Sequence, residues 1–227
     1  MRILTDPALR SRILHIRRRA QPPPPEALRA LDAVLISHAH HDHLDPPSLR
    51  LLEGNCPAVV PRGCRALLRR GGFKDVVEVD VGDRVRVGKM GIEALPAAHD
   101  GRRYPFGRRR PALGFLLEGP PRIYFAGDTD LYEAMDDLAG RVDVAVLPVA
   151  GWGSRVPDGH LDAERAARAA VRIRPRTAIP IHWGALAAGS KAAAVGSRAP
   201  QAFVREAARV APGVKVQVLA PGERLEL

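Results

Sequence analysis

Cysteine, lysine and aromatic residues are all scarce in this chain of 227 residues. The two cysteines, Cys56 and Cys64, are eight positions apart and form no C-x-x-C motif, so we expect reduced, packed thiols and no redox or structural zinc role. Only four of the 35 basic residues are lysines, so arginine carries nearly all of the formal net charge of +10. Such a charge ordinarily indicates nucleic acid or anionic surfaces. An arginine- and alanine-rich composition is also typical of GC-rich coding, however, and we rank a nucleic-acid partner as unlikely.

Long apolar runs are absent as well, and none approaches the roughly 18 to 20 residues that cross a bilayer. The first 19 residues lack the continuous apolar core and small-residue cleavage site of a signal peptide, so we expect a cytoplasmic protein without a transmembrane segment. Because 46% of the residues are hydrophobic, the chain has enough apolar side chains for a sizeable core.

Strand and helix patterns alternate along the chain without a fixed repeat or a shift in composition. Buried or half-buried strands are predicted at 32–37, 76–95, 112–128, 142–151, 177–184, 214–219 and 222–227. Helices are predicted after Asp45, at 161–175 with Asp162 as the cap, and at 199–213. The four prolines at 22–25 indicate an extended or turning surface connection. Mixed strands and helices predict one layered α/β domain over residues 1–227.

One loop concentrates four of the eight histidines in six residues. After the strand at 32–37 the chain reads H-x-H-x-D-H, with His38, His40, Asp42 and His43 at the defined positions. Imidazole and carboxylate are the groups that zinc and similar divalent metals bind. A loop leaving a strand end can aim alternate side chains into one cavity, so the motif predicts a metal site with ligands for more than one ion.

Three further candidates each lie at or just beyond the end of an apolar strand segment. His99 comes after IEALPAA, Asp128 after RIYFAGD, and His182 after TAIPI. Because the ends of strands at one sheet edge converge in space, we expect these side chains to join the histidine-rich loop as metal ligands.

This set, H-x-H-x-D-H followed by a single His, then G-D-T and a His after an apolar strand, resembles the metallo-β-lactamase fold superfamily from about residue 35 to 184. The segments ISHAHHDHLD, FAGDTD and PIHWG are most similar to the branch with N-acyl-phosphatidylethanolamine-hydrolysing phospholipase D and L-ascorbate-6-phosphate lactonase. The resemblance implies a four-layer αβ/βα sandwich of two mixed sheets. It also implies two metal ions, one held by His38, His40 and His99, the other by Asp42, His43 and His182, with Asp128 between them.

Members of this superfamily usually begin with a strand pair before the turn that reads Leu4-Thr5-Asp6-Pro7 in this chain. We therefore expect either a start downstream of the natural one or a domain without its first two strands. The second case would leave an open sheet edge.

The chemistry expected of such a site is hydrolysis. Two divalent ions, zinc first and manganese or iron as alternatives, can share a water and lower its pKa, so no Ser or Cys nucleophile is required. Asp42 and Asp128 would orient that water as well as bind metal. By resemblance, His160 contributes to the pocket, and we expect it to contact substrate or protonate a departing alcohol; a surface helix cap is its alternative role.

Residues near the predicted ligands suggest a substrate pocket. Five arginines flank Tyr104 and Phe106 in the segment 100–110, and Arg102 or Arg103 could clamp a phosphate oxygen, although a charge run is usually a solvated face. Trp152 follows a strand end and is expected either to wall the pocket or to pack as an ordinary aromatic. His15 and His41 are expected to be solvated and outside the site.

The leading interpretation is a dinuclear zinc hydrolase of a small or lipid-like anionic ester, either a phosphodiester or a lactone. A metal-dependent nuclease is the second interpretation, because nucleic-acid-processing members of the superfamily share the metal loop and this chain is basic. A thioesterase and a β-lactamase rank lower. A catalytically inactive metal-binding scaffold is the alternative from another class. The substrate, the metal and the oligomeric state stay open at this point.

Overall fold

The computed structural model describes residues 1–52, 56–104 and 107–226, and its strands are short. In chain order the strands are β1 (Ile3–Thr5), β2 (Arg12–Ile13), β3 (Ile16–Arg18), β4 (Ala33–Leu35), β5 (Ala58–Pro61), β6 (Val76–Val79), β7 (Arg84–Val87), β8 (Met90–Pro96), β9 (Leu113–Glu118), β10 (Ile123–Phe125), β11 (Val144–Pro148), β12 (Thr177–Ile181), β13 (Leu186–Ala187) and β14 (Lys215–Val216). The α-helices are α1 (Pro46–Leu49), α2 (Arg65–Arg70), α3 (Ala163–Ile173) and α4 (Ser190–Val210). None of the described helices is both long and apolar enough to cross a membrane.

The strands form two large sheets and one small one. The first large sheet is parallel, in the order β1-β4-β5-β6, with β1 at one edge. The second has seven strands in the order β14-β12-β11-β10-β9-β8-β7 and is mixed. The small sheet has the order β13-β3-β2 and is antiparallel.

Three apolar clusters stack these sheets and helices into four layers. Leu35 and Val59 of the first large sheet pack with Phe115 and Phe125 of the second, so the two sheets face each other. On the outer face of the first sheet lie side chains of α1 and α2, and on the outer face of the second lie those of α3 and α4. The prediction of a four-layer αβ/βα sandwich is therefore confirmed. The single domain over 1–227 stays a prediction.

Helix α3 forms where the sequence predicts it. The Asp162 carboxylate caps it by accepting a hydrogen bond from the backbone N–H of Arg165, and the helix stops at Arg174 before a proline. Its buried face is mostly alanine and consists of Ala166, Ala167, Ala169, Ala170 and Ile173. Small side chains let α3 lie close to both α4 and the sheet.

The C-terminal part differs from the prediction in two places. Helix α4 begins nine residues before the predicted start and contains Pro200, because Ala192, Gly196, Pro200 and Phe203 recur at helical spacing and are buried together. That shared burial outweighs the backbone donor that proline lacks. The predicted closing strand pair is wrong in part: Lys215–Val216 forms a strand, whereas residues 222–226 form a turn and irregular chain, and Leu227 lies outside the described residues.

The small sheet was not predicted. Strands β2 and β3 form a hairpin whose two-residue turn is Leu14 and His15. β3 pairs with β13, which follows the predicted ligand His182 by only a few residues. This pairing fixes the hairpin beside the end of β12.

Strand direction brings the predicted site residues to one edge of the molecule. β8 and β10 are both antiparallel to β9, so their carboxyl ends point the same way. β11 and β12 are parallel to β10 and end at that same edge. The carboxyl end of β4 in the facing sheet leads directly into the histidine-rich loop.

Candidate metal centre

Seven side chains predicted to bind metal converge at this edge, and we call them the ligand cluster. They are His38, His40, Asp42, His43, His99, Asp128 and His182. Their ligand atoms form two groups, and within each group all the atoms lie within 4.8 Å of one another. Two overlapping sets meet the same distance, one that adds Asp6 to His38 and His43 and one that adds His160 to His99 and Asp128. The structure therefore brings together residues that are up to 144 positions apart, while their role as ligands stays a prediction.

The first group contains His38, His40 and His99. His99 Nε2 lies 3.1 Å from His40 Nδ1, and the His38 ring centroid lies 4.5 Å and 4.6 Å from those of His40 and His99. Two residues of the loop after β4 thus meet one residue that follows β8.

The second group contains Asp42, His43, Asp128 and His182. His43 Nε2 lies 3.1 Å from His182 Nε2 and 3.0 Å from an Asp128 oxygen. Asp42 Oδ2 lies 3.4 Å from His43 and 3.5 Å from His182. Asp128 also lies 3.9 Å from His38 Nε2, so its carboxylate stands between the two groups.

Two buried atoms of the ligand cluster lack a hydrogen-bond partner among the described residues. They are His38 Nε2 and Asp128 Oδ1, in side chains that are 0% and 2% exposed. A buried polar atom without a partner carries a free-energy cost of about 1 to 3 kcal/mol. A divalent cation would remove that cost at both atoms, and imidazole nitrogens with carboxylate oxygens are donors that such ions accept. The residues present fit a metal centre.

The outward nitrogens of the histidines are occupied. The Nδ1–H of His99 donates to the carbonyl oxygen of Gly159 at 2.8 Å, and that of His182 donates to Ala150 at 3.0 Å. His38 Nδ1 lies 2.9 Å from the Ser37 hydroxyl. With Nδ1 protonated, Nε2 presents its lone pair to the cluster, so these contacts select the tautomer that binds metal.

Asp6 also contacts the ligand cluster, although no sequence motif indicated it. Its carboxylate accepts hydrogen bonds from His43 Nδ1 at 2.7 Å and from the Ser37 backbone N–H and hydroxyl at 2.7 and 2.6 Å. It therefore orients one predicted ligand and the strand end that carries another. The turn Leu4-Thr5-Asp6-Pro7 was its only signal in the sequence.

Gly127 allows the close approach of Asp128 to the loop after β4. Its φ is +60°, and a Cβ there would lie 2.5 Å from the Cβ of Ser37. Because Cβ atoms do not approach that closely, only glycine permits both the left-handed backbone and the contact between the two sheets.

Burial and neighbouring charges shift the pKa values of side chains in the ligand cluster. Burial lowers the pKa of His99 to about 4 and, together with nearby His43, lowers that of His38 well below its usual range. Burial opposes ionisation of Asp128, but the neighbouring His182 and His43 hold its pKa well below the usual value. The first group is thus neutral imidazole and Asp128 is ionised at neutral pH, the states that coordinate metal. Burial opposes protonation of His43 and His182, but Asp128 raises the pKa of both rings, so a bound cation would have to displace their protons.

A cavity of about 440 Å³ opens directly above the ligand cluster. Asp42, Asp128 and His182 lie at its floor, and His160 also lines it, with Nε2 at 3.3 Å from an Asp128 oxygen. His160 is 14% exposed at the side chain, so a molecule in the cavity can reach it. Its predicted contact with substrate is consistent with this position and stays a prediction.

One side of the cavity is apolar, and we call it the wall. The wall consists of Ile13, Leu14, Ile16 and Trp152. His15 is exposed, as expected, but the expectation that it lies away from the site is wrong because it lines the cavity. Its ring packs edge-on against Trp152, with ring centroids 5.0 Å apart. Trp152 thus forms part of the cavity wall, which is the first of the two roles expected for it.

The two arginines predicted to clamp substrate occupy different positions. Arg103 is buried, and its guanidinium donates to the carbonyl oxygens of Ala39 and Leu44 at 2.6 and 2.7 Å. It also donates to His41 Nδ1 at 2.9 Å, so His41 is half-buried and hydrogen-bonded where a solvated side chain was expected. Arg103 therefore braces the metal loop, but it also lines the cavity, so its predicted phosphate contact stays a prediction.

Arg102 is exposed, with its nearest acidic partner Asp100 at 3.9 Å, and it does not line the cavity described above. Phe106, which was grouped with these arginines, lies outside the described residues. Phosphate binding by Arg102 stays a prediction.

The chain is similar to a large family of known proteins. A family model described as a β-lactamase superfamily domain matches residues 1–183. A UPF0173 metal-dependent hydrolase of Deinococcus radiodurans is 33% identical over 198 residues, which are 86% of this chain and 80% of the relative. The N-acyl-phosphatidylethanolamine-hydrolyzing phospholipase D 1 of Caenorhabditis elegans is 29% identical over 195 residues, which are 76% of this chain and 55% of that protein.

An uncharacterized protein of Mycobacterium tuberculosis is 32% identical over 200 residues, which are 81% of this chain but 54% of the relative, so the chain spans about half that protein's length. Among solved structures, the isothiocyanate hydrolase from Delia radicum gut bacteria matches with a TM-score of 0.71 and 20% identity, over 99% of this chain and 92% of that one. At that identity the likeness shows the fold alone. The fold, the ligand cluster and the family match agree: this chain belongs to the metallo-β-lactamase fold superfamily, as its sequence motifs indicate.

Proposed function

We propose that the protein is a dinuclear metal-dependent hydrolase that cleaves a small or lipid-like anionic ester, either a phosphodiester or a lactone. The observation that carries this proposal is the pair of buried, unpartnered atoms His38 Nε2 and Asp128 Oδ1 inside a convergent set of ligand groups. Such atoms are costly in a folded protein unless a ligand satisfies them. Zinc is the favoured ion, and manganese and iron are alternatives.

In this proposal each side chain of the ligand cluster has a role. His38, His40 and His99 would hold one ion, Asp42, His43 and His182 the other, and Asp128 would contact both. When bound, the ions supply Lewis acidity toward the substrate oxygen and lower the pKa of water. Asp42 and Asp128 would orient the attacking water by accepting its hydrogen bonds. His160, at the rim of the cluster, would donate a proton to the leaving oxygen.

Several observations support ester hydrolysis. The cavity above the cluster gives a substrate access to it, which a closed scaffold would lack. Relatives named metal-dependent hydrolase and phospholipase D match most of this chain. The net charge of +10 favours an anionic substrate.

Metal analysis of the purified protein, combined with a turnover panel, tests the proposal. We expect about two equivalents of divalent metal per chain and turnover of a generic phosphodiester or of a lactone, and turnover of a thioester alone would contradict the proposed substrate class. In Asp128→Ala, bound metal should fall and turnover should drop by at least about a thousandfold, because the carboxylate that joins both groups is removed.

Asp137→Ala is the matched control, since Asp137 is an exposed aspartate outside the cavity lining. It should retain both metal and turnover. Unchanged activity of Asp128→Ala would refute the proposal. A full complement of metal without turnover on any substrate would favour the scaffold, and cleavage of RNA or DNA with no activity on the small esters would favour the nuclease.

A further inference from the structure

The β2–β3 hairpin stands at the mouth of the cavity and is held there by backbone pairing. Arg17 and Arg18 of β3 pair with Ala187 and Leu186 of β13. The Arg18 guanidinium also donates to the carbonyl oxygens of Ala8 and Arg10, which fixes the hairpin on the chain before it. The tip of the hairpin is therefore a built part of the cavity and not a free loop.

Leu14, at the tip, has a conformation and an exposure that are both unfavourable for leucine. Its φ is +51°, a region that glycine and asparagine adopt more readily, and its side chain is 59% exposed. Neither feature helps the hairpin to fold, because Asn at this position would relax the backbone and most of the Leu14 side chain is exposed to solvent. The leucine side chain does line the cavity, where it faces the space above the ligand cluster.

The wall continues from Leu14 to both sides. Ile13 and Ile16 flank the turn in the two strands, and Trp152 lies across from the tip, where the His15 ring packs against it. The floor below is formed by ionisable groups of the ligand cluster. A molecule that fills the cavity thus meets both the ionisable groups of the ligand cluster and the apolar side chains of the wall, with Arg103 and Arg155 also in the lining.

We infer that Leu14 and Trp152 form a subsite for an alkyl chain carried by the substrate, which places the reacting ester at the ligand cluster. This inference rests on the proposed function and narrows it to esters with an alkyl group of several carbons. The cavity volume of about 440 Å³ is in the range of sites that enclose ligands of this size. Leu14 is then a specificity-determining residue whose unfavourable backbone is retained for contact with the substrate.

Binding of two phosphonates to the zinc-loaded protein tests the subsite without any turnover. Each fully buried methylene contributes about fourfold in affinity, so hexylphosphonate, with about half of its extra chain covered, should bind about thirtyfold more tightly than methylphosphonate. Calorimetry measures both dissociation constants. The same comparison is made for kcat/KM with hexyl and methyl esters of one phosphodiester.

Leu14→Asn is the informative variant because asparagine tolerates a positive φ, so that the hairpin is not strained. We expect it to reduce the hexyl-to-methyl affinity ratio about five- to tenfold, as expected for loss of one apolar contact surface. Leu51→Asn is the matched control: Leu51 is also 59% exposed but does not line the cavity, and the ratio should stay as in the unchanged protein.

Equal affinity for the two phosphonates, no binding of hexylphosphonate, or a ratio unaffected by Leu14→Asn would each overturn the subsite. Hydrolysis of the ester panel together with equal binding would overturn the subsite and leave the proposed function standing. A clear hexyl preference in a protein that hydrolyses nothing would support the subsite and contradict the proposed function.

Discussion

The ligand cluster and the wall border the same cavity but are built in opposite ways. The cluster is buried and ionisable, and outward nitrogens of its histidines are held by Asp6, Ser37 and backbone carbonyls. The wall is apolar and partly exposed, and it comes from a hairpin and a loop. A charged group needs a fixed partner to be buried at all, whereas an apolar surface can change shape at little cost. The side chains of the ligand cluster are therefore tightly constrained, whereas those of the wall can change at little cost in stability.

His160 belongs to neither region alone, because it contacts Asp128 of the ligand cluster and also lines the cavity. If it is a proton donor, His160→Gln should keep the metal and lower kcat by about a hundred- to a thousandfold, the size typical of general acid catalysis. The measurement is kcat on the best ester beside metal content of the same sample. Loss of metal in His160→Gln would move His160 into the cluster as a ligand, and full turnover would remove it from the reaction.

Asp6 tests whether the outward contacts of the cluster matter. Asp6→Ala removes the acceptor from His43 Nδ1, and we expect metal affinity to fall about ten- to a hundredfold, as for other residues that orient a ligand. Asp6→Asn is the matched variant, because it keeps an acceptor oxygen and suits the positive φ of 43° at this position. Asp6→Asn should lose less metal affinity than Asp6→Ala.

Competition with a coloured chelator measures the metal affinity, and thermal unfolding of the metal-free proteins separates stability from binding. A fall in melting temperature with unchanged metal affinity would show that Asp6 is only structural.

Much of the ligand cluster could be predicted because its residues follow strands with a recognisable pattern. The motif from His38 to His43 is local, and His99, Asp128 and His182 each come directly after an apolar run. Strand direction then determines where they meet. The layered fold could be predicted for the same reason, since alternation and apolar periodicity are local properties.

Trp152 was one expected member of the wall, but the hairpin part of the wall and Asp6 could not be predicted because their roles depend on partners far away in the chain. Asp6 meets His43 across 37 positions. The hairpin strands have only two and three residues, with an arginine-rich sequence in which Ile13 and Ile16 alone are buried, so no periodic signal exists there. Pro200 concealed the start of α4 in a similar way, since only contact with the core reveals why the helix continues through it.

Substitution of Arg103 distinguishes a structural role in the metal loop from a role in substrate binding. Its three hydrogen bonds to the metal loop need the planar fork of the guanidinium, so Arg103→Lys should lower the free energy of unfolding by about 2 kcal/mol. Arg102→Lys, at an exposed neighbour, should change it by less than about 0.5 kcal/mol. Denaturant unfolding measures both variants. A stable Arg103→Lys protein with a raised KM for an anionic ester would restore the clamp.

Trp152 gives the smallest expected effect and bears directly on the wall. It contributes one side of the cavity and contacts His15, but no ligand-cluster hydrogen bond involves its side chain among the described residues. Trp152→Ala should therefore raise KM for a hexyl ester about fivefold, change kcat less, and leave metal content as it was. Trp152→Phe keeps an aromatic surface, so its KM should lie between that of the unchanged protein and that of Trp152→Ala. A loss of metal in Trp152→Ala would mean that the wall supports the ligand cluster, so that substrate preference could not change independently of the chemistry.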